Sequence, residues 1–258
     1  MLLVNHRSLL LLLALTLASS PAGAWDLNCK FAADRKARIG SAGIQRVEVF
    51  ARAGDLTVRP STGAEVVASG KACASNEKYL EQTQVRMRRE GEVVQVVVQV
   101  PDEMKGIGLF YATLDLTVEV PADLPVQVTD SSGDVSIDGV RVVRVTDSSG
   151  DIEAHGLPAD IEIDDSSGDI RVENAAGRVK VVDSSGDFVV RGAREVLVQS
   201  DSSGDIDVEE ISGGVRIESE SSGDVVISRV GGSVEVLSDS TGDVRVSAVK
   251  GTVKLPDR

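Results

Sequence analysis

From residue 122 onward, apolar and polar positions follow one template. After each Gly-Asp comes apolar-x-apolar, then a turn holding one more small or apolar residue, then a second apolar-x-apolar pair. One unit supplies Ile170, Val172, Ala175, Val179 and Val181; another supplies Ile206, Val208, Ile211, Val215 and Ile217. A spacing of two puts both members of a pair on one face of a strand. The apolar residues are mostly β-branched, which favours strand over helix. Two short strands per unit, separated by turns, predict one coil of a parallel β-solenoid.

The turns carry the period. The phrase Asp-Ser-Ser-Gly-Asp stands at residues 130–134, 147–151, 165–169, 183–187 and 201–205. Variants close the series, with Glu220 opening one and Thr241 inside the other. Between the glycines (Gly133, Gly150, Gly168, Gly186, Gly204, Gly223, Gly242) the steps are 17, 18, 18, 18, 19 and 19 residues. A fixed period of this size means stacked supersecondary units, here about seven coils of 17–19 residues. The stack must exist as a whole, because one coil buries too little to offset its ordering. In-register stacking makes neighbours of Arg144, Glu162, Lys180, Leu197, Arg216, Glu235 and Lys254, whose charges mostly alternate in sign. Unlike cross-strand neighbours are mildly stabilising and like charges are penalised, so that order fixes the register. Apolar steps of 2, 3, 4 and 2 depart from left-handed hexapeptide repeats and predict right-handed coiling. At the end of the stack, charge and Pro256 discourage a further strand from pairing.

Residues 25–121 lack the clean repeat and read as an irregular β-rich region capping the stack. Strand-like runs cover 47–50, 55–58, 93–100 and 114–120, and Gly54-Asp55-Leu56-Thr57-Val58 reads as a degenerate rung. Residues 77–90 read as a loop or exposed strand, and 103–111 as an apolar loop over the near end. Ahead of these, residues 1–24 read as a signal peptide: Arg7, a short apolar run at 9–18, and Ala22-Gly23-Ala24 before Trp25. Leu27 and Asn28 before Cys29 do not suit lipid acylation. No stretch is long enough to span a bilayer. The domain reading is therefore 1–24, 25–121 and 122–258, with the mature protein periplasmic, cell-surface or secreted.

Composition narrows function by exclusion. Only 3% of the 258 residues are aromatic, so the core must be aliphatic. The formal charge of −14 becomes −15 once Arg7 is removed, which argues against nucleic acid and anionic lipid. Cys29 and Cys73 in an exported chain read as one disulfide, the alternative being two buried thiols.

The acidic turn has two readings. The first acid can accept from the backbone ahead of it as an Asx-turn, and glycine suits the left-handed end of the turn. Stacking also creates acidic columns, and calcium could bind one through Asp134, Asp151, Asp169, Asp187, Asp205, Asp224 and Asp243. Capping is preferred, since the turn occurs once per coil and lacks Gly-Gly-x-Gly-x-Asp. Catalytic residues are not indicated. His155 stands alone beside Gly156 in a turn, and the repeated serines have no histidine to activate them.

Where Val118-Glu119-Val120-Pro121-Ala122-Asp123-Leu124-Pro125 runs into the first Asp-Ser-Ser-Gly-Asp turn, the chain resembles the bacterial putative-adhesin family of β-strand repeat domains of unknown function. The likeness is close over residues 114–258 and looser from residue 45. It implies a parallel β-helix-like fold and export, and it brings no catalytic residues. The leading expectation is a non-enzymatic envelope or surface protein that binds a protein or glycan as adhesin or scaffold. A calcium-stabilised secreted module is the alternative, followed by a carbohydrate-active β-helix enzyme.

Overall fold

The structure is a computed structural model, which describes residues 29–101 and 110–256. The signal-peptide reading at 1–24, most of the apolar loop at 103–111, and the last two residues lie outside the described residues. The elements run β1 (Phe31–Gly40), β2 (Arg46–Phe50), β3 (Leu56–Ser61), β4 (Glu65–Ala74), α1 (Glu77–Gln82), β5 (Gln84–Glu90) and β6 (Val93–Gln99). Then come β7 (Ala112–Pro121), β8 (Val126–Thr129), β9 (Val135–Asp138), β10 (Val142–Thr146), β11 (Ile152–His155) and β12 (Ile161–Asp164). The last set is β13 (Ile170–Val182), β14 (Phe188–Ser200), β15 (Ile206–Ile211), β16 (Val215–Ile217), β17 (Val225–Val230), β18 (Val234–Val236), β19 (Val244–Val249) and β20 (Val253–Lys254).

These strands form a parallel β-solenoid of stacked coils. One parallel ladder runs β6–β2–β8–β10–β12, passes through the second halves of β13 and β14, and ends β16–β18–β20. The other runs β7–β3–β9–β11, through the first halves of β13 and β14, to β15–β17–β19. Every inward member of the template is buried, from Val126 and Val128 to Val234 and Val236, and the aliphatics fuse into one core. The alternation is what closes that core. A slip of one residue would turn each valine outward.

Both ladders continue across residue 122. The degenerate rung takes its place, with Leu56 opposite Val135 and Val58 opposite Ile137. Its coil lies between the β6/β7 coil and the β8/β9 coil, so order in space departs from order in sequence here. Antiparallel pairing covers this end: β4 on β7, β1 on β4, and β5 on β6.

The stretch 77–90 is a largely exposed strand in its second half, β5, as expected, and differs only in its first half, which forms α1. Asn76 caps α1 by accepting from the Tyr79 N–H at 2.9 Å, and Glu77 sits in the first turn, where the helix dipole favours an acid. Tyr79 is buried with its ring edge-on to Phe110. Six residues are too few to show a helical period, so only the cap marks this element in the sequence.

Cys29 and Cys73 are disulfide-bonded across a Cα separation of 5.5 Å, holding the start of the described chain to β4. The loop closed spans 44 residues, and closure on that scale stabilises by about 4 kcal/mol in the chain-entropy model. Peptide mapping of the non-reduced protein should recover the linked Cys29 and Cys73 peptides. Free thiols at both positions would contradict the pairing.

Candidate functional site: stacked acidic turns

Between the two parallel ladders, the Asp-Ser-Ser-Gly-Asp turns pile on one another and continue the hydrogen bonding. The N–H of Gly150 donates to the Ser167 carbonyl, that of Gly168 to Ser185, and that of Gly186 to Ser203. Each glycine has positive φ, from 115° at Gly133 to 154° at Gly223. The third residue of the phrase adds a hydroxyl ladder: Ser149 Oγ donates to the Ser131 carbonyl and Ser185 Oγ to that of Ser166, both at 3.1 Å. Thr241 does the same to Ser221 at 3.0 Å, which explains why threonine is tolerated there.

The two acidic columns have opposite environments. The closing aspartates are exposed and joined through the backbone. Asp134 Oδ1 accepts from the N–H of Asp151, and the pattern repeats through Asp151, Asp169, Asp187, Asp205 and Asp224 to the N–H of Asp243 at 2.8–3.0 Å. The column extends beyond the repeats, since Asp55 Oδ1 accepts from Asp134 and Asp115 Oδ1 from Asp55. Asp224 is held below the usual carboxylate range, first by the Asp243 N–H and then by Arg245. The carboxylates proposed for calcium therefore spend one oxygen on the neighbouring coil. Among the described residues no group of three or more His, Cys, Asp or Glu is arranged to hold a metal.

The opening acids face inward. Asp130, Asp147, Asp165, Asp183 and Asp201 are each 2% exposed, and Glu220 is fully buried. The Asx-turn is present where Asp183 Oδ1 accepts from the Ser185 N–H and Asp201 Oδ1 from that of Ser203, both at 3.2 Å; Asp147 and Asp183 also accept from the next residue, Ser148 at 2.8 Å and Ser184 at 2.6 Å. Burial pushes Asp130 and Asp201 up to about 6 and Asp165 up to about 7. Glu220 is likewise raised to about 7 by burial, reinforced by Asp239 and Asp201. Asp147 and Asp183 are raised for the same first reason.

On the outer face of the first ladder, Arg144, Glu162, Lys180, Leu197, Arg216, Glu235 and Lys254 are successive Cα partners. Glu162 sits between Arg144 and Lys180, with Lys180 Nζ at 2.6 Å, and the Lys180 bond is the first cause of its lowered pKa. Arg216 and Lys254 flank Glu235 in the same way. A surface groove of about 570 Å³ opens beside this column, lined by Arg141, Asp160, Glu162, Arg178, Lys180 and Arg194 among others. Its cations are largely spent on ion pairs, including Arg178–Glu195 and Arg194–Asp160. His155 lies elsewhere, 3.5 Å from Glu173 on the adjacent rung.

This repeating architecture matches a family model, Toastrack DUF4097, over residues 44–255. The chain belongs to the Toastrack family. The match begins at Ile44, so it takes in the two extra coils as well as the repeats. Among solved structures, the chain is similar to a putative lipid binding protein from Parabacteroides distasonis ATCC 8503, at 14% identity and TM-score 0.50, covering 85% of this chain and 96% of that one. A putative adhesin from the same organism aligns at 12% identity and TM-score 0.44, covering 86% and 96%. A putative cell adhesion protein from Clostridium sporogenes ATCC 15579 aligns at 9% and 0.37, covering 84% and 99%. At 14% identity the first of these likenesses speaks to the fold alone. No curated protein matches the chain. Among the described residues no helix is long and apolar enough to cross a membrane.

Proposed function

We propose that this Toastrack protein is an exported, non-enzymatic surface or envelope protein that presents its flat, laddered faces to a protein or glycan, as an adhesin or scaffold. The observation that carries the reading is the sameness of the outer surface from coil to coil. The charge column from Arg144 to Lys254 and the aspartate column from Asp55 to Asp243 repeat one local environment along the stack. A catalytic centre needs one position made unlike the others, whereas an extended binding face gains from repetition. The leader-like residues 1–24 and the cysteine pair support export.

The mature chain, starting at Trp25 and immobilised, should retain one class of envelope protein or glycan and release it chemically unchanged. Cleavage of a retained glycan during the assay would overturn the non-enzymatic part. No retention from either pool would overturn the adhesive part.

A further inference from the structure

The inward acidic column is a chemical oddity that adhesion does not use. Its members occupy equivalent places in successive coils, and the backbones of Asp201, Glu220 and Asp239 pair in parallel from rung to rung. Rungs of a sheet are about 4.8 Å apart, so the carboxyls form a file inside the molecule. Both carboxyl oxygens of Asp130, Asp165 and Glu220 are buried without a hydrogen-bond partner. One oxygen each of Asp147, Asp183, Asp201 and Asp239 is in the same state. The charges that act on the file from the neighbouring turns are themselves acidic: Asp55, Asp134, Asp169, Asp187 and Asp239. Serine N–H groups reach one oxygen each of Asp147, Asp183 and Asp201, but buried carboxylate oxygens left without a donor beside other acids are strongly disfavoured. Some ligand must bring positive charge or a donor, and among the described residues no cluster of three or more His, Cys, Asp or Glu is arranged to hold a metal ion.

We propose that protons are that ligand, and that Asp130, Asp147, Asp165, Asp183, Asp201 and Glu220 form an interior proton-binding ladder in which a carboxyl O–H on one rung donates to the carboxylate of the next. The orphaned oxygens then become donors and acceptors to one another, as in carboxyl pairs that share one proton. The ladder takes up about one proton per pair of rungs as the coils close, and gives them back when the coils open. The raised pKa values of the file agree in direction. The sign follows from linkage: a carboxyl with a raised folded pKa binds protons more tightly when folded. Stability therefore grows as pH falls through about 7 toward the ordinary carboxylate range, and is lost as pH rises. The domain is built to tighten in mild acid.

Infrared spectra of the folded chain at about pH 7 should contain a carboxylic-acid C=O band that unfolding removes and Asp165→Asn together with Glu220→Gln diminishes. Absence of that band would overturn the ladder. Melting followed from about pH 8 down to about pH 5 should rise by several degrees for the wild type and by less for the double variant. The variant should also melt higher than wild type at about pH 8, because its amides carry the missing donors. A fall in melting temperature over that pH range would contradict the proposal, as would full replacement of the acid effect by calcium or potassium at matched ionic strength. Should the double variant not fold, the wild-type band and pH slope still decide.

Discussion

Gly186→Ala is expected to abolish the native stack. The Gly186 backbone sits at φ 140°, where a side chain is strained, and a Cβ built there would lie 1.8 Å from the Gly168 carbonyl oxygen and 2.5 Å from its carbon. Both obstructing atoms are backbone, fixed by the turn below. Gly168 meets the Gly150 oxygen at 1.9 Å in the same way, and Gly204 meets Gly186 at 1.8 Å. The turns nest because no Cβ separates them, so relief at one level would have to spread to its neighbours. The cost should exceed about 4 kcal/mol, among the largest for one methyl group. Gly91→Ala is the matched control, with φ 63° but nothing within 4 Å of the added carbon. It should cost only about 1 kcal/mol. Urea unfolding followed by circular dichroism would measure both. A loss at Gly186 no larger than at Gly91 would mean the turns do not nest as described.

Much of this fold was legible, and the reason is mechanical. A strict period of two inside a period of 17–19 leaves one way to bury the valines, and alternating charges fix the rung pairing. Arg144, Glu162 and Lys180 stand beside one another as that logic requires. The Asx-turn could be read from residue chemistry, since Asp183 and Asp201 accept from the serines two residues on. What escaped was decided by long-range placement. Val93–Gln99 alternates like any other strand, and nothing local says that its coil lies outside that of Arg46–Phe50. In the five Asp-Ser-Ser-Gly-Asp turns the two aspartates are the same residue type, yet the first is buried and the last exposed. The direction of the side chain at the turn decides, and composition is blind to it. A second column of left-handed positions was also hidden. Gly139, Gly156 and Gly192 announce it, but Glu210, Arg229 and Ala248 hold the same conformation in later coils.

One face of each strand is core and the next residue is surface, held at that register through the stack. Val215 and Arg216 test it as adjacent residues of one short strand. Val215 is 2% exposed and lies between Val196 and Val234 on the flanking rungs. An aspartate there would be an unpaired charge inside an aliphatic core, at a cost of about 3–5 kcal/mol. The Arg216 side chain is 43% exposed and makes ion pairs with Glu218 and Glu235. Pairs of that kind in solvent are worth at most about 1 kcal/mol each, so Arg216→Ala should cost little. The decisive measurement is the unfolding free energy of Val215→Asp and Arg216→Ala against wild type under one set of conditions. A severe loss is expected for the first and a loss of about 1 kcal/mol for the second. Equal losses, or a larger one at Arg216, would contradict the register and with it the solenoid.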